Sequence, residues 1–254
     1  MKFHEMTAPE IGQVPRDRTV VLVPIAACEQ HSQHLPTFTD TILVTAVAEG
    51  TEREMPDQVL LLPTFWLGAS HHHLPWGGTL SLDVDKHIEV LCALVAPLLD
   101  SGFQRIMFLN GHGGNIDTFH AALRKLQPLY PDRVLAGASY WELAEKELAE
   151  LAEGRRQVMG HACEFETSMV MALRPDLVRR DQIQDDPPED NDVLRGLYLC
   201  EDFKQRTDHG CMGYPEKADA DKGKRFLDAA IKRTVEVVAE LLRRPLKRKG
   251  ESHS

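Results

Sequence analysis

Short runs of β-branched and other apolar residues alternate along the chain with longer segments in which apolar positions recur every three or four residues. The runs cover residues 19–25, 58–63, 105–110 and 133–140. Near-continuous apolar runs of this length suit strands buried on both faces. Segments 40–53, 84–100, 115–126 and 161–173 carry the helical period, and 218–243 reads as a long terminal helix. Strands that alternate with helices predict an α/β fold with a mostly parallel sheet and helices on both of its faces. Residues 181–192 are acidic and Pro-rich, which predicts a surface loop. The chain beyond that loop has too few strands for a second core, so residues 1–254 are expected to form a single domain.

Composition narrows the function classes. The 254 residues are 43% hydrophobic and 27% charged, an ordinary globular balance. A net charge of −10, from 29 Lys+Arg against 39 Asp+Glu, opposes a phosphate backbone and predicts no nucleic-acid partner. The basic cluster of Arg243, Arg244, Lys247, Arg248 and Lys249 lies at the end of the chain, and residues 243–254 are expected to be a solvated tail. No apolar run approaches the roughly 20 residues of a membrane span, and the opening residues lack the apolar stretch of a secretory signal. Five Cys without C-x-x-C spacing fit reduced thiols, so the expected location is the cytoplasm. The unusual count is His, at twelve.

In open α/β sheets, ligands bind beyond the carboxyl ends of the strands, and here those positions hold metal-ligand residue types. Glu29 and His31 follow the first strand; in extended chain, residues two apart project to the same side. Asp40 suits either a ligand or the N-cap of the next helix. His112 stands among Gly111, Gly113 and Gly114 after the third strand, where the glycines allow a sharp turn and close approach to a ligand. Read as one helix, residues 161–173 put His161, Glu164 and Ser168 on a common face, with Glu166 about 200° round from Glu164 at 100° per residue. A polar helix face favoured by the dipole explains the same spacing. His71, His72 and His73 are consecutive and cannot all face one ion, so a supporting or substrate-facing role is expected. Glu29, Asp40, Glu164, His31 and His112 together offer donors for two divalent ions, Zn²⁺ or Mn²⁺, with one carboxylate shared. Such a pair equips a site for hydrolysis of a carbonyl compound.

Five segments in this order resemble the creatininase family, the creatinine amidohydrolases. Glu29-Gln30-His31-Ser32-Gln33-His34-Leu35-Pro36 with Asp40 is similar to its E-Q-H-G-x-H-L-P…D segment, and Asn110-Gly111-His112-Gly113-Gly114-Asn115 to its N-G-H-G-G-N turn. His161-Ala162-Cys163-Glu164-Phe165-Glu166-Thr167-Ser168 resembles H-A-G-E-x-E-T-S. Gly210-x-x-Gly213-x-Pro215, with Ala218 and Lys222-Gly223, resembles its C-terminal pattern. His73…Trp76-Gly77-Gly78-Thr79-Leu80-Ser81 is a looser match to H…F-P-G-T-[LI]-S.

The resemblance implies a three-layer α/β/α sandwich, two divalent ions (Zn²⁺ and/or Mn²⁺) per subunit and a homohexamer built as a trimer of dimers. Asp40 would bridge the ions, Glu29 and His112 would complete one site, and His31 and Glu164 the other. In creatininase the last carboxylate lies two residues after the turn His, a position that is Gly114 here; the resemblance to the branch with N-G-H-G-G-N implies the first Glu of H-A-x-E instead, which would be Glu164. His161 would carry a proton to the leaving group, and Glu164 would share in the chemistry. Ser70, His73, Gly111, Gly113 and Trp141 would face the substrate. The expected reaction is hydrolysis of a small cyclic amide. Ring opening of a cyclic ketone and deformylation are the alternatives, with a non-catalytic ligand-binding protein behind them. Ser32, Cys163, Gly113, Met159 and Gly160 depart from the family pattern and speak against creatinine as the substrate.

Overall fold

The computed structural model describes residues 1–155, 157–187 and 197–246. Its elements in chain order are α1 (Ala8–Gln13), β1 (Val20–Ile25), α2 (Thr39–Glu54), β2 (Val59–Leu61), α3 (Val84–Asp100), β3 (Arg105–Asn110), α4 (Ile116–Leu126) and β4 (Val134–Ser139), followed by α5 (Tyr140–Leu143), α6 (Glu145–Leu151), α7 (Glu164–Leu173), α8 (Phe203–Arg206) and α9 (Ala220–Arg243). The four strands form one parallel sheet in the order β2-β1-β3-β4.

Strand alternation divides the interior into two cores. Val20 and Leu22 of β1, with Met107 and Leu109 of β3, face α2, α7 and α9 through Leu43, Val47, Phe165, Met169, Phe226 and Ala230. Val21, Val23, Ile25, Ile106 and Phe108 face the other way, onto α3 and α4 through Leu91, Val95, Leu99, Phe119 and Leu126. This is the expected α/β/α layering, and the period-2 alternation of side chains produces it. From β1 the chain moves outward to β2, then crosses back to β3, so the winding reverses between β1 and β3. The ends of β1 and β3 therefore flank a crevice, where α/β sheets place their ligands.

The observed strands and helices lie close to the sequence expectations, with one consequential difference. The segment expected to be helical from residue 161 enters α7 only at Glu164. Ala162 takes a positive φ of 48°, and His161 pairs with Met212 as an isolated antiparallel bridge. Residue 161 thus lies off the helix, and spacing rules for a helix face do not apply to it.

Two other expectations change. Part of the acidic segment is tied down: the Asp186 carboxylate accepts the N–H groups of Asp208 and His209 at 2.9 and 2.8 Å, and that of Asp185 accepts the Glu216 N–H at 2.9 Å. Residues 188–192 of it lie outside the described residues, as do 247–254 of the basic tail. The start of that tail is not free of the body, because Arg105 at the head of β3 donates to the carbonyls of Leu241 and Arg244. No described helix is long and apolar enough to cross a membrane.

Helix α9 crosses α7 closely. A Cβ on Gly223 would stand 1.9 Å from the Ser168 carbonyl oxygen, so only glycine permits this approach. On the opposite face, His87 is fully buried between α3 and α4, with Nδ1 2.7 Å from the Thr118 hydroxyl. That hydroxyl donates to the Asn115 carbonyl, so His87 Nδ1 carries the proton and Nε2 is left without a partner. Burial, together with His112, pushes the His87 pKa down to about 4. The unfolded chain binds this proton at higher pH than the folded one, so the contribution to stability is complete above the ordinary value of 6.5 and is lost as pH falls toward 4. His87→Gln should therefore flatten the fall in thermal midpoint between those two pH values, as measured by differential scanning calorimetry.

Candidate metal centre

The loop after β1 carries Glu29 and His31, the first turn of α2 carries Asp40, the turn after β3 carries His112, and α7 carries Glu166; all five are buried. They form two triads, Glu29–Asp40–His112 and His31–Asp40–Glu166, whose ligand atoms lie within 4.8 Å of one another. Asp40 is common to both. A third grouping joins Glu29 and His31 to His161.

The hydrogen bonds of the two imidazoles show which nitrogen faces the carboxylates. His31 Nδ1 lies 3.1 Å from the carbonyl oxygen of Glu29. A carbonyl can only accept, so Nδ1 carries the hydrogen and the Nε2 lone pair points at Asp40 (3.0 Å) and Glu166 (3.7 Å). His112 is arranged the other way round. Its Nε2 contacts the Ser70 hydroxyl at 3.1 Å and the Ala69 carbonyl at 3.3 Å, which leaves the Nδ1 lone pair facing Glu29 (3.1 Å) and Asp40 (3.2 Å). Metal-bound histidines are held in this manner, by a hydrogen bond from the nitrogen that does not bind.

Lone pairs directed at carboxylates repel unless a proton or a cation lies between them. Among the described residues, no Lys or Arg makes an ion pair with Glu29, Asp40 or Glu166. Without a metal, burial opposes charge on both rings, but Asp40 and Glu166 outweigh it at His31 and hold that pKa well above the ordinary value. Glu29 and Asp40 likewise raise His112 to about 10. Burial pushes Glu29 up, and the two imidazoles hold Asp40 below the usual carboxylate range despite its burial. Glu29 Oε2, Asp40 Oδ2, Glu166 Oε2 and His31 Nε2 are buried without a hydrogen-bond partner. Oxygen and imidazole donors with unsatisfied lone pairs and excess negative charge fit divalent cations such as Zn²⁺ or Mn²⁺.

Sequence spacing favoured Glu164 as the ligand, and the structure corrects this. The carboxylate of Glu164 is taken up by Lys222 at 2.6 Å and by the N–H groups of Glu153 and Gly154. Glu166, one turn-face away, contacts His31. The error came from treating residue 161 as helical, when α7 begins at 164. Gly114 shows why the carboxylate cannot come from the turn: a Cβ there would lie 2.4 Å from His112 Nε2 and 2.3 Å from the Ala69 carbonyl oxygen. The turn itself is braced by its two asparagines. Asn110 bonds the backbone of His112 on both sides, and Asn115 joins Ala26 to Ala69.

Two residues expected at the substrate stand behind the centre instead. Ser70 is fully buried and orients His112. His73 accepts from the Gln30 amide at 2.9 Å through Nδ1, which leaves its Nε2–H to face Glu29 at 3.3 Å. His71 turns outward to Ser81 and Asp83, and His72 stacks near His112, so the triplet diverges as consecutive residues must. Gly111, Gly113 and Trp141 do line a cavity of about 210 Å³ over the centre, with Ile116, Met159, Gly160 and His161. Phe203 of α8 stacks on His73 at 3.9 Å and meets the edge of His161 at 4.6 Å. It lies past the acidic loop, in a stretch without a motif, and nothing in the sequence pointed to it.

A parallel α/β/α fold with a buried carboxylate–imidazole cluster at the reversal of its winding defines a metal-binding protein of the α/β class. The family model described as "Creatininase: Creatinine amidohydrolase" matches residues 4–238, and the chain belongs to the creatininase family. It is 30% identical over 186 residues to the mycofactocin precursor peptide peptidase of Mycobacterium ulcerans (strain Agy99), covering 70% of this chain and 68% of that one. It is 26% identical over 237 residues to the creatinine amidohydrolase of Pseudomonas putida, covering 87% and 89%. A 3-dehydro-scyllo-inosose hydrolase of Thermotoga maritima is 25% identical over 191 residues, 74% of this chain and 60% of that one. A crystal structure of creatinine amidohydrolase superposes with a TM-score of 0.80 at 26% identity, covering 94% and 96% of the two chains. Solved creatininases include a Zn-Zn type and a Mn form.

Glu166→Gln should abolish zinc uptake at its triad. Ser70→Ala, which frees the His112 ring, should weaken zinc binding by about 10-fold or more, on the scale of lost supporting hydrogen bonds. Competition with a chromogenic chelator measures both.

Proposed function

We propose that this protein is a metal-dependent hydrolase of a small amide, a cyclic amide being the first candidate, with two divalent ions held by Glu29, Asp40 and His112 and by His31, Asp40 and Glu166. The sharing of Asp40 between two buried triads carries the reading. Bound ions of this kind polarise a carbonyl and bring water to a nucleophilic state near neutral pH.

The protein's own groups supply the rest. His161 Nε2 lies 2.8 Å from the Gln30 carbonyl and 3.1 Å from the Gln30 side-chain amide nitrogen; with its hydrogen given to the nearer carbonyl, Nδ1 is the basic atom, 3.6 Å from Glu29. Burial, reinforced by His31, holds this ring well below the ordinary histidine pKa, so a proton received at Nδ1 is readily passed on. That suits delivery to a leaving nitrogen. Trp141 and Ile116 supply apolar walls, and the backbone at Gly113 leaves open space, with nothing within 4 Å of where a Cβ would stand.

A linear, peptide-like amide is the second reading. It is supported by a neighbouring cavity of about 250 Å³ that shares Trp141 and Met159 with the first and would take an extended substrate. Relatives named for creatinine and for a peptide are in line with the two amide readings, and one named for an inosose, a cyclic ketone, is in line with the alternative of ketone ring opening.

The test is turnover by zinc- and manganese-loaded protein of a panel of cyclic amides, short peptides and cyclic ketones. Hydrolysis of an amide, lost on chelation and restored by metal, is expected. Turnover of cyclic ketones alone, or none in the panel, would refute the amide reading. His161→Ala should lower kcat by at least about 100-fold while the metal stays bound, the range for loss of an acid/base group.

A further inference from the structure

Glu164 and Lys222 form a buried ion pair that the chemistry above does not use. Their side chains are 3% and 7% exposed, and Nζ lies 2.6 Å from Oε1. The Glu164 carboxylate also accepts the N–H of Glu153 at 2.9 Å and of Gly154 at 2.8 Å. Lys222 in turn donates to the Lys217 carbonyl at 2.8 Å and lies 3.0 Å from the Glu153 carboxylate. Glu164 thus spends its capacity on the backbone at 153–154 and on Lys222, and Lys222 spends its own on Glu164, Glu153 and the Lys217 carbonyl.

Burying two charges is costly, and a hydrophobic pair of the same volume often serves stability as well. What such a hydrophobic pair would lack is the grip on two consecutive backbone N–H groups. The gripped backbone leads into the cavity wall: Met159 and Gly160 line the cavity over the metal centre, while Gln157, Val158 and Met159 line the neighbouring one. The far end of this wall is held separately, with Gly160 against the Met212 carbonyl and His161 bridged to Met212. Gly154 is packed so tightly that a Cβ would meet the Tyr214 ring at 2.8 Å.

We infer that Glu164 and Lys222 are positioning residues: they clamp the backbone at Glu153 and Gly154 so that Met159 stands as the wall between the two cavities and, with Gly160, sets which substrates fit. The role in substrate fit rests on the hydrolase reading; the clamp itself does not.

The experiment compares zinc-loaded wild type with Glu164→Gln, Lys222→Met, the double variant, the charge-conserving Lys222→Arg, and Gly154→Ala. The last keeps both charges and displaces the same backbone, its Cβ standing 2.8 Å from the Tyr214 ring and 3.0 Å from Glu164 Oε2. Amide hydrogen exchange at Glu153 and Gly154 should rise by about tenfold or more in Glu164→Gln, Lys222→Met and Gly154→Ala, and stay near wild type in Lys222→Arg. The double variant should exchange no faster than the worse single one, because the pair acts as a unit. Zinc content should be unchanged throughout. On an amide turned over by wild type, KM should rise by about tenfold with kcat altered less than about threefold, the signature of lost ground-state fit. Unchanged exchange in all the variants, zinc loss in Glu164→Gln, or an unchanged KM in Gly154→Ala would each overturn the inference. If wild type hydrolyses no amide, the functional reading fails, while exchange and zinc content still decide the clamp.

Discussion

Three buried carboxylates meet at the centre of this fold without a Lys or Arg among the described residues to balance them. Burial of like charges is among the most costly arrangements a protein interior can hold, and it persists only when protons or metal ions offset it. The rest of the site answers that constraint. Two imidazoles are turned so that the nitrogen facing the carboxylates is the one that can exchange its proton for a cation, and each ring is fixed by a hydrogen bond at its far nitrogen. Ser70, Ala69 and the Glu29 carbonyl supply those bonds, while the Gln30–His73 relay orients Glu29 itself.

The scaffold explains why these groups converge. Reversal of the winding between β1 and β3 opens the crevice, and the loops after those strands deliver Glu29, His31 and His112. Helices α2 and α7, packed on the same face of the sheet, bring Asp40 and Glu166 from the side. The close crossing of α9 over α7 at Gly223 then places Lys222 where it satisfies the neighbouring Glu164, so that of two carboxylates in one helical turn, one faces His31 in the candidate centre and the other is held by Lys222.

Much of this could be read in the sequence. The four strands and the long helices were legible because apolar runs and helical periods are local properties, and the turn around His112 was legible because glycines and asparagines mark it. The choice between Glu164 and Glu166 was not, because it depends on where α7 begins. That boundary is set by Ala162 and by a bridge to Met212, about fifty residues away in the chain. Ser70 and His73 were misread for a related reason: whether a polar side chain faces the cavity or the back of a ligand is decided by tertiary packing. Phe203 had no local signature at all.

The central claim is that the carboxylate cluster exists to hold two divalent ions through a shared Asp40. Calorimetric titration of metal-free protein with zinc tests it most directly. The account predicts saturation at two equivalents per chain, with protons released as the rings give up theirs to the metal. Saturation at a single equivalent, or no binding beyond that of an Asp40→Asn variant, would contradict it.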